Sequence, residues 1–190
     1  MKSLLVAIAL LAASCGGAQN NGKPASIDAD ASEYKAYGLT VERPPQWTFV
    51  TPDASVATDT LVILQGPIGN STLAPVVEVA RRTITASDRR RAPAQILAAM
   101  ITELGQTFDG FEADGTVQEC EVGERKGSRI NVHLTESLSD GTEERRAAKM
   151  YVIVDGEQIW VLRALGPGDG SADGQLENVV SRMHFGATLR

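Results

Sequence analysis

Residues 149–165 read KMYVIVDGEQIWVLRAL. Two near-continuous apolar runs, Lys149–Val154 and Gln158–Leu165, flank Asp155-Gly156, a dipeptide suited to the tight turn of a β-hairpin. Apolar character on both faces of both runs predicts two strands in the middle of a sheet, with other layers covering each side. Downstream, Gly166-Pro167-Gly168-Asp169-Gly170 closes the sheet. Leu176, Val179, Val180 and Met183 then recur at helical spacing, and Phe185 is expected to finish that last helix.

Upstream of the hairpin, Arg129-Ile130-Asn131-Val132-His133-Leu134-Thr135 alternates strictly, so Ile130, Val132 and Leu134 share one face of a strand. Thr116–Val122 is a weaker strand candidate. Between Pro93 and Phe108 the period changes: Ile96, Leu97, Met100, Ile101, Leu104 and Phe108 form one stripe of a helix, and Pro93 suits its first turn. Earlier still, Ala74–Ala80 reads as a strand with Pro75 near its start, where a missing N–H is tolerated. Leu61–Leu64 is a short apolar strand ending at Gln65-Gly66-Pro67. Gly38–Arg43 and Trp47–Val50 are strands separated by Pro44-Pro45.

Several strands, a helix, a run of antiparallel strands with short hairpins and a terminal helix together predict an α+β fold, an antiparallel β-sheet flanked by helices. On GLTVERPPQW (residues 38–47) and on MYVIVDGEQIWVLRAL (150–165) with the helix after it, the chain resembles the PsbP-like/Mog1 family. The resemblance spans residues 37–188 and implies an α/β/α sandwich. It further implies a role like that of bacterial lipoproteins with this fold, which are mostly accessory, assembly or binding proteins; it carries over no catalytic motif.

The first fifteen residues, MKSLLVAIALLAASC, carry the strongest local signal. Lys2 precedes the unbroken apolar run Leu4–Leu11, and Ala12, Ala13 and Ser14 lead to Cys15. This is the three-part pattern of a signal peptide. The apolar run is too short for a membrane-spanning helix, which needs about 20 apolar residues. Ala13-Ser14-Cys15 resembles the lipobox of bacterial lipoproteins, with Ala12 where that family prefers Leu. The resemblance implies that residues 1–14 are removed, and that Cys15 carries the lipid and becomes the membrane attachment. Gly16 rather than Asp follows Cys15, which in a diderm host favours the outer membrane. Residues 15–36, poor in large apolar side chains, are expected to be a tether; about 20 residues of such coil span about 25 Å root-mean-square. Residues 37–190 are expected to form a single domain.

Composition excludes more than it nominates. The 190 residues hold 18 Lys+Arg against 24 Asp+Glu, a formal charge of −6, and loss of Lys2 with the leader makes the mature chain one unit more acidic. That balance argues against nucleic acid as a partner. Two Cys and two His leave little for a disulfide framework or a metal site. No catalytic or dinucleotide motif is present, so no cofactor, metal or enzymatic activity is expected. Gly66-Pro67-Ile68-Gly69-Asn70-Ser71 follows no phosphate-loop spacing and reads as a surface loop. His133, beside Asn131 and Thr135, is either part of a shallow site or a solvated residue. His184 is expected at the C-terminal end of the last helix, where a cation is favourable. Cys120, between Glu119 and Glu121, reads as a structural thiol whose pKa those carboxylates raise. Glu119, Glu121, Glu124, Glu136, Asp140, Glu143 and Glu144 read as solvated hairpin edges.

One segment runs against the overall charge. Arg81, Arg82, Arg89, Arg90 and Arg91 lie within eleven residues that hold one acid, Asp88. They sit just before a helix, where cations oppose the dipole, so helix stability does not call for them. Arginines can grip phosphate or carboxylate bidentately, which nominates lipid head groups, an anionic glycan or an acidic protein partner. The alternative is solvation, or internal pairing with the acidic hairpins. The expectation is therefore a lipid-anchored, extracytoplasmic, non-enzymatic binding or accessory module of the bacterial cell envelope. An envelope hydrolase and a small-ligand or metal carrier are the alternatives.

Overall fold

The computed structural model describes residues 26–52, 59–69, 73–138 and 140–186. The leader, Cys15 and residues 70 and 71 of the expected surface loop lie outside them. Strand and helix order is β1 (Glu33–Ala36), β2 (Leu39–Glu42), β3 (Thr48–Val50), β4 (Thr60–Gln65), β5 (Val76–Thr83), α1 (Pro93–Thr107), β6 (Glu112–Val122), β7 (Arg125–Ser137), β8 (Glu143–Asp155), β9 (Gln158–Pro167), α2 (Asp173–Ser181) and β10 (Met183–Phe185). The hairpin read from residues 149–165 is β8–β9. Asp155 and Gln158 pair across a two-residue turn whose first residue, Gly156, has φ +60°. An L-residue with a side chain adopts that φ only at a cost, so glycine there sets the turn and with it the register.

Seven strands form one antiparallel sheet in the order β3-β4-β5-β9-β8-β7-β6. β8 and β9 are interior strands, which is why their sequences are apolar on both faces. One face packs on α1: Ile96, Leu97 and Leu104 of the helix meet Ile130, Val132, Met150, Val152, Ile159 and Val161. Met100, Ile101 and Phe108 complete the predicted stripe as partly buried neighbours. The other face holds Phe49, Leu64, Val77, Tyr151, Ile153 and Leu162, covered by Leu176, Val179 and Val180 of α2. Each fully buried side chain of this kind contributes roughly 2 kcal/mol from apolar burial.

A second, three-stranded sheet, β1-β2-β10, lies against the α2 side and departs from the sequence reading in two places. Residues 26–36 were expected to be tether. Instead β1 pairs with β2 from Glu33↔Glu42 to Ala36↔Leu39, Phe49 N–H donates to Ala29 C=O (3.1 Å), and Ile27, Ala31 and Tyr34 pack on the core. One half-buried face, Tyr34 and Ala36 against exposed Glu33 and Lys35, is a strand too short for composition to reveal. The last helix, expected to run to Phe185, stops at Ser181. Met183 and Phe185 are buried strand residues opposite Val41 and Leu39. Met183 fits the helical period of Leu176 and Val179/Val180 and the strand period of Phe185 equally well, so periodicity alone could not separate them.

Two ion pairs are buried on the α1 face. Glu78 and Arg163 are direct cross-strand partners on β5 and β9, with Arg163 Nη2 3.2 Å from Glu78 Oε1; the Thr60 hydroxyl also donates to Glu78. Arg146 on β8 reaches Glu136 on β7 at 3.0 Å and donates through Nη2 to the Ala74 carbonyl at 2.6 Å. Glu136, expected on a solvated edge, is thus in the interior. It shares the face of Ile130, Val132 and Leu134 by simple alternation, and that signal was present in the sequence.

Candidate binding surface

The arginine segment occupies the end of the large sheet where β5 finishes and β9 begins. Because strand residues alternate, Arg81 and Arg82 leave β5 on opposite faces. Arg81, opposite Trp160, lies with its guanidinium 4.7 Å from the Tyr37 ring centre and 5.8 Å from that of Trp160, and donates to the Tyr37 carbonyl at 3.4 Å. Tyr37 belongs to the β1–β2 turn at φ +55° and is 54% exposed. Arg82 turns the other way and holds Asp88 at 2.6 Å. Burial alone would raise the Asp88 pKa; hydrogen bonds from Arg82 and the Thr85 hydroxyl outweigh it and hold the carboxyl below its ordinary value.

That buried pair pins a 3-10 turn, Asp88–Arg90, and the turn presents three guanidiniums outward. Arg89 is 3.3 Å from Glu157 with both side chains more than half exposed, and Arg91 is 3.9 Å from Asp88. Arg90 is exposed, with no ion pair among the described residues. Exposed pairs of this kind contribute about 0–1 kcal/mol and leave most of a cation's charge available. Two of the five nominated arginines are therefore structural, and Arg89, Arg90 and Arg91 are presented to solvent.

At the opposite end of the sheet, a cleft of about 570 Å³ opens between the β4–β5 and β9–α2 loops, lined by Pro67, Pro75, Arg145, Asp169 and Gln175 among others. It was not foreseen, since its walls come together from four separate stretches of chain. On the α2 side, β7 presents Arg129, Asn131, His133 and Thr135, and the polar surface continues onto β8 as far as Lys149, before the buried Tyr151 and Ile153. There Lys149 bridges to Asp173 (3.0 Å) and Glu177 (2.7 Å) of α2. Burial works against the Lys149 charge, but those two carboxylates outweigh it and raise the ammonium pKa.

His133, also on this face, has Asp114 Oδ2 3.8 Å from its Nε2. Cys120 pairs in register with Gly127, six positions along β7 from His133. At about 3.3 Å per residue the two side chains are about 20 Å apart, too far for a nucleophile–base contact. The Cys120 pKa is raised, as expected, but by burial, with Arg129 opposing; Glu119 and Glu121 leave the strand on its other face. His184 lies in β10 opposite Thr40, not at a helix terminus, because the helix ends before it. Among the described residues no group of three or more His, Cys, Asp or Glu could hold a metal ion, and no helix is long and apolar enough to cross a membrane.

No protein-family model and no curated protein matches the sequence. Solved structures do match in shape. Cyanobacterial PsbP (CyanoP) from Synechocystis sp. PCC 6803 aligns with a TM-score of 0.56 at 15% identity, over 90% of this chain and 97% of that one. LpqN, involved in cell envelope biogenesis of Mycobacterium tuberculosis, aligns with a TM-score of 0.54 at 15% identity, over 78% and 83%. PA94, a Pseudomonas aeruginosa protein of unknown function, aligns at 0.51 and 9% identity, over 78% and 92%. At such identities shape is what is shared: the chain has the antiparallel α+β fold of the PsbP-like proteins.

Proposed function

We propose that the chain is a bacterial lipoprotein anchored through Cys15, and that its PsbP-like domain is a non-enzymatic binding or accessory module on the extracytoplasmic side of the cell envelope. The observation that carries this reading is Ala13-Ser14-Cys15 at the end of the apolar run Leu4–Leu11, behind Lys2. A diacylglyceryl thioether plus an N-acyl chain would supply the several acyl chains that stable anchoring requires. The part LpqN takes in cell envelope biogenesis supports the location. The wide separation of His133 from Cys120, with Asp114 at 3.8 Å from the imidazole, supports binding over hydrolysis. The test is Cys15→Ala in the native host: the protein should lose incorporation of labelled fatty acid and leave the membrane pellet when it is washed at high salt. A variant that stays membrane-bound and labelled ends the proposal.

The cleft beside Arg145 favours a second reading, a small-ligand carrier, since its volume lies in the range of about 300–1,000 Å³ usual for ligand sites. Filling it with Gln175→Trp, at an exposed position of α2 that lines the cleft, should abolish uptake of such a ligand from an envelope extract. The lipoprotein reading predicts that this variant still reaches the membrane.

A further inference from the structure

We propose that the end of the domain carrying Arg89, Arg90, Arg91 and Tyr37 docks on an anionic phospholipid surface. The segment does not earn its place through stability. The 3-10 turn is held from within by Arg82, Thr85 and Asp88, so its outward arginines are not needed to form it. They stand immediately before α1, where positive charge opposes the helix dipole. Held on a short pinned turn, the three guanidiniums lose little freedom on binding, and each can take a phosphate bidentately.

A second observation comes from a different part of the chain. Tyr37 is one of the two large apolar side chains in the described structure with more than half of their surface exposed, and it holds a positive φ in the turn. Arg81 stacks on its ring and fixes it at the same end of the sheet. An amphipathic ring stacked on one guanidinium, at the end of the sheet that also carries Arg89, Arg90 and Arg91, is the side-chain chemistry of a lipid head-group layer, where aromatic bodies sit among polar heads. A soluble phosphate would have no use for the exposed ring. Of the acids at this end, Asp155 lies 3.7 Å from Arg125 and Glu157 3.3 Å from Arg89, while exposed Glu121 and Glu124 belong to the β6–β7 hairpin, whose strand β7 is three strands away from β5.

Chain geometry permits the contact. Cys15 and Ser26 are eleven positions apart, a reach of at most about 36–40 Å. Ser26 and Tyr37 are also eleven positions apart, so Tyr37 lies no farther from Ser26 than that reach and the anchor can bring it to the bilayer. The biological setting rests on the lipoprotein reading, but the docking itself does not. Anchoring is tested by Cys15→Ala in cells, docking by vesicle binding of an unlipidated chain, and each can fail alone.

The experiment uses the mature chain, residues 15–190, carrying Cys15→Ala and so lacking the apolar run Leu4–Leu11. Co-sedimentation is measured with vesicles of phosphatidylcholine alone and of phosphatidylcholine mixed with phosphatidylglycerol, at low and physiological salt. The expected result is preferential binding to the mixed vesicles that weakens as salt rises. Each arginine near an anionic surface contributes about fivefold to partitioning, so R89Q/R90Q/R91Q together should lower it by about 10- to 100-fold. Tyr37→Ser should lower it a few fold, and Arg145→Gln at the far end should leave it unchanged. Unaltered circular dichroism of the variants excludes unfolding as the cause. Equal binding to both vesicle types, equal loss with Arg145→Gln, or abolition by free inorganic phosphate at matched phosphorus concentration each overturns the proposal.

Discussion

Arg146 and Arg163 differ from Arg89, Arg90 and Arg91 in everything except side-chain chemistry. The first two lie inside the sandwich, each against one buried carboxylate, and Arg146 also holds the Ala74 carbonyl. The last three have exposed side chains on a solvated turn, Arg89 paired at 3.3 Å with exposed Glu157, Arg91 3.9 Å from Asp88 and Arg90 with no ion pair among the described residues. In water an ion pair is nearly neutral for stability, whereas a buried charge that loses its partner cannot be rehydrated. One group of arginines therefore belongs to the fold, and the other is free for a partner.

The largest expected effect is at the buried pairs. Arg146→Ala should destabilise by about 3–5 kcal/mol in urea unfolding, because Glu136 is left charged and unpaired in the interior. The double variant Arg146→Met/Glu136→Leu should recover most of that loss. If the single and double variants are equally unstable, the cost comes from packing and not from the orphaned charge.

Asp88 lies between the two groups, since it is buried yet anchors the exposed turn. Asp88→Asn should cost about 1–3 kcal/mol. The folded-state pKa of Asp88 is below its ordinary 3.8, so its stabilisation is complete above that value. It is lost as pH falls through the lower, folded-state value, when the carboxyl finally protonates. Thermal melts from pH 5 down to pH 2 should show a shallower acid limb for Asp88→Asn than for the parent chain. Parallel limbs would remove Asp88 from the account.

Lys149 provides the opposite sign. Its folded pKa is raised above 10.5, so its contribution is whole below that value and fades as pH rises through the higher, folded one. Lys149→Met should cost about 1 kcal/mol at neutral pH and flatten the alkaline limb. The smallest expected effect is at the exposed arginines. Arg90→Gln should change unfolding free energy by less than about 0.5 kcal/mol. A large loss there would erase the distinction between the two groups.

Parts of the architecture were legible because their cause is local. The β8–β9 hairpin follows from two apolar runs and Asp155-Gly156, β7 from the alternation around Ile130 and Val132, and α1 from a six-residue stripe behind Pro93. β6 begins at Glu112, earlier than the expected Thr116. It is an edge strand whose first residues are all exposed, so no apolar periodicity marks them. β1 and β10 escaped notice because a strand of three or four residues is stabilised by its neighbours in space, here β2, and not by its own pattern. At the binding surface the arginine run was visible at once, but which arginines were free was not.

The sequence by itself determined the β8–β9 hairpin, the apolar face of β7, the stripe of α1, the excess of acid and the lipobox-like ending at Cys15, because these depend on spacing along the chain. Only the tertiary structure decided the fate of the charges. Arg146 meets an oxygen 72 positions away, and Arg81 a ring 44 positions away. A cation's energy depends on what desolvates and what neutralises it, and both arrive from distant segments once the sheet has closed.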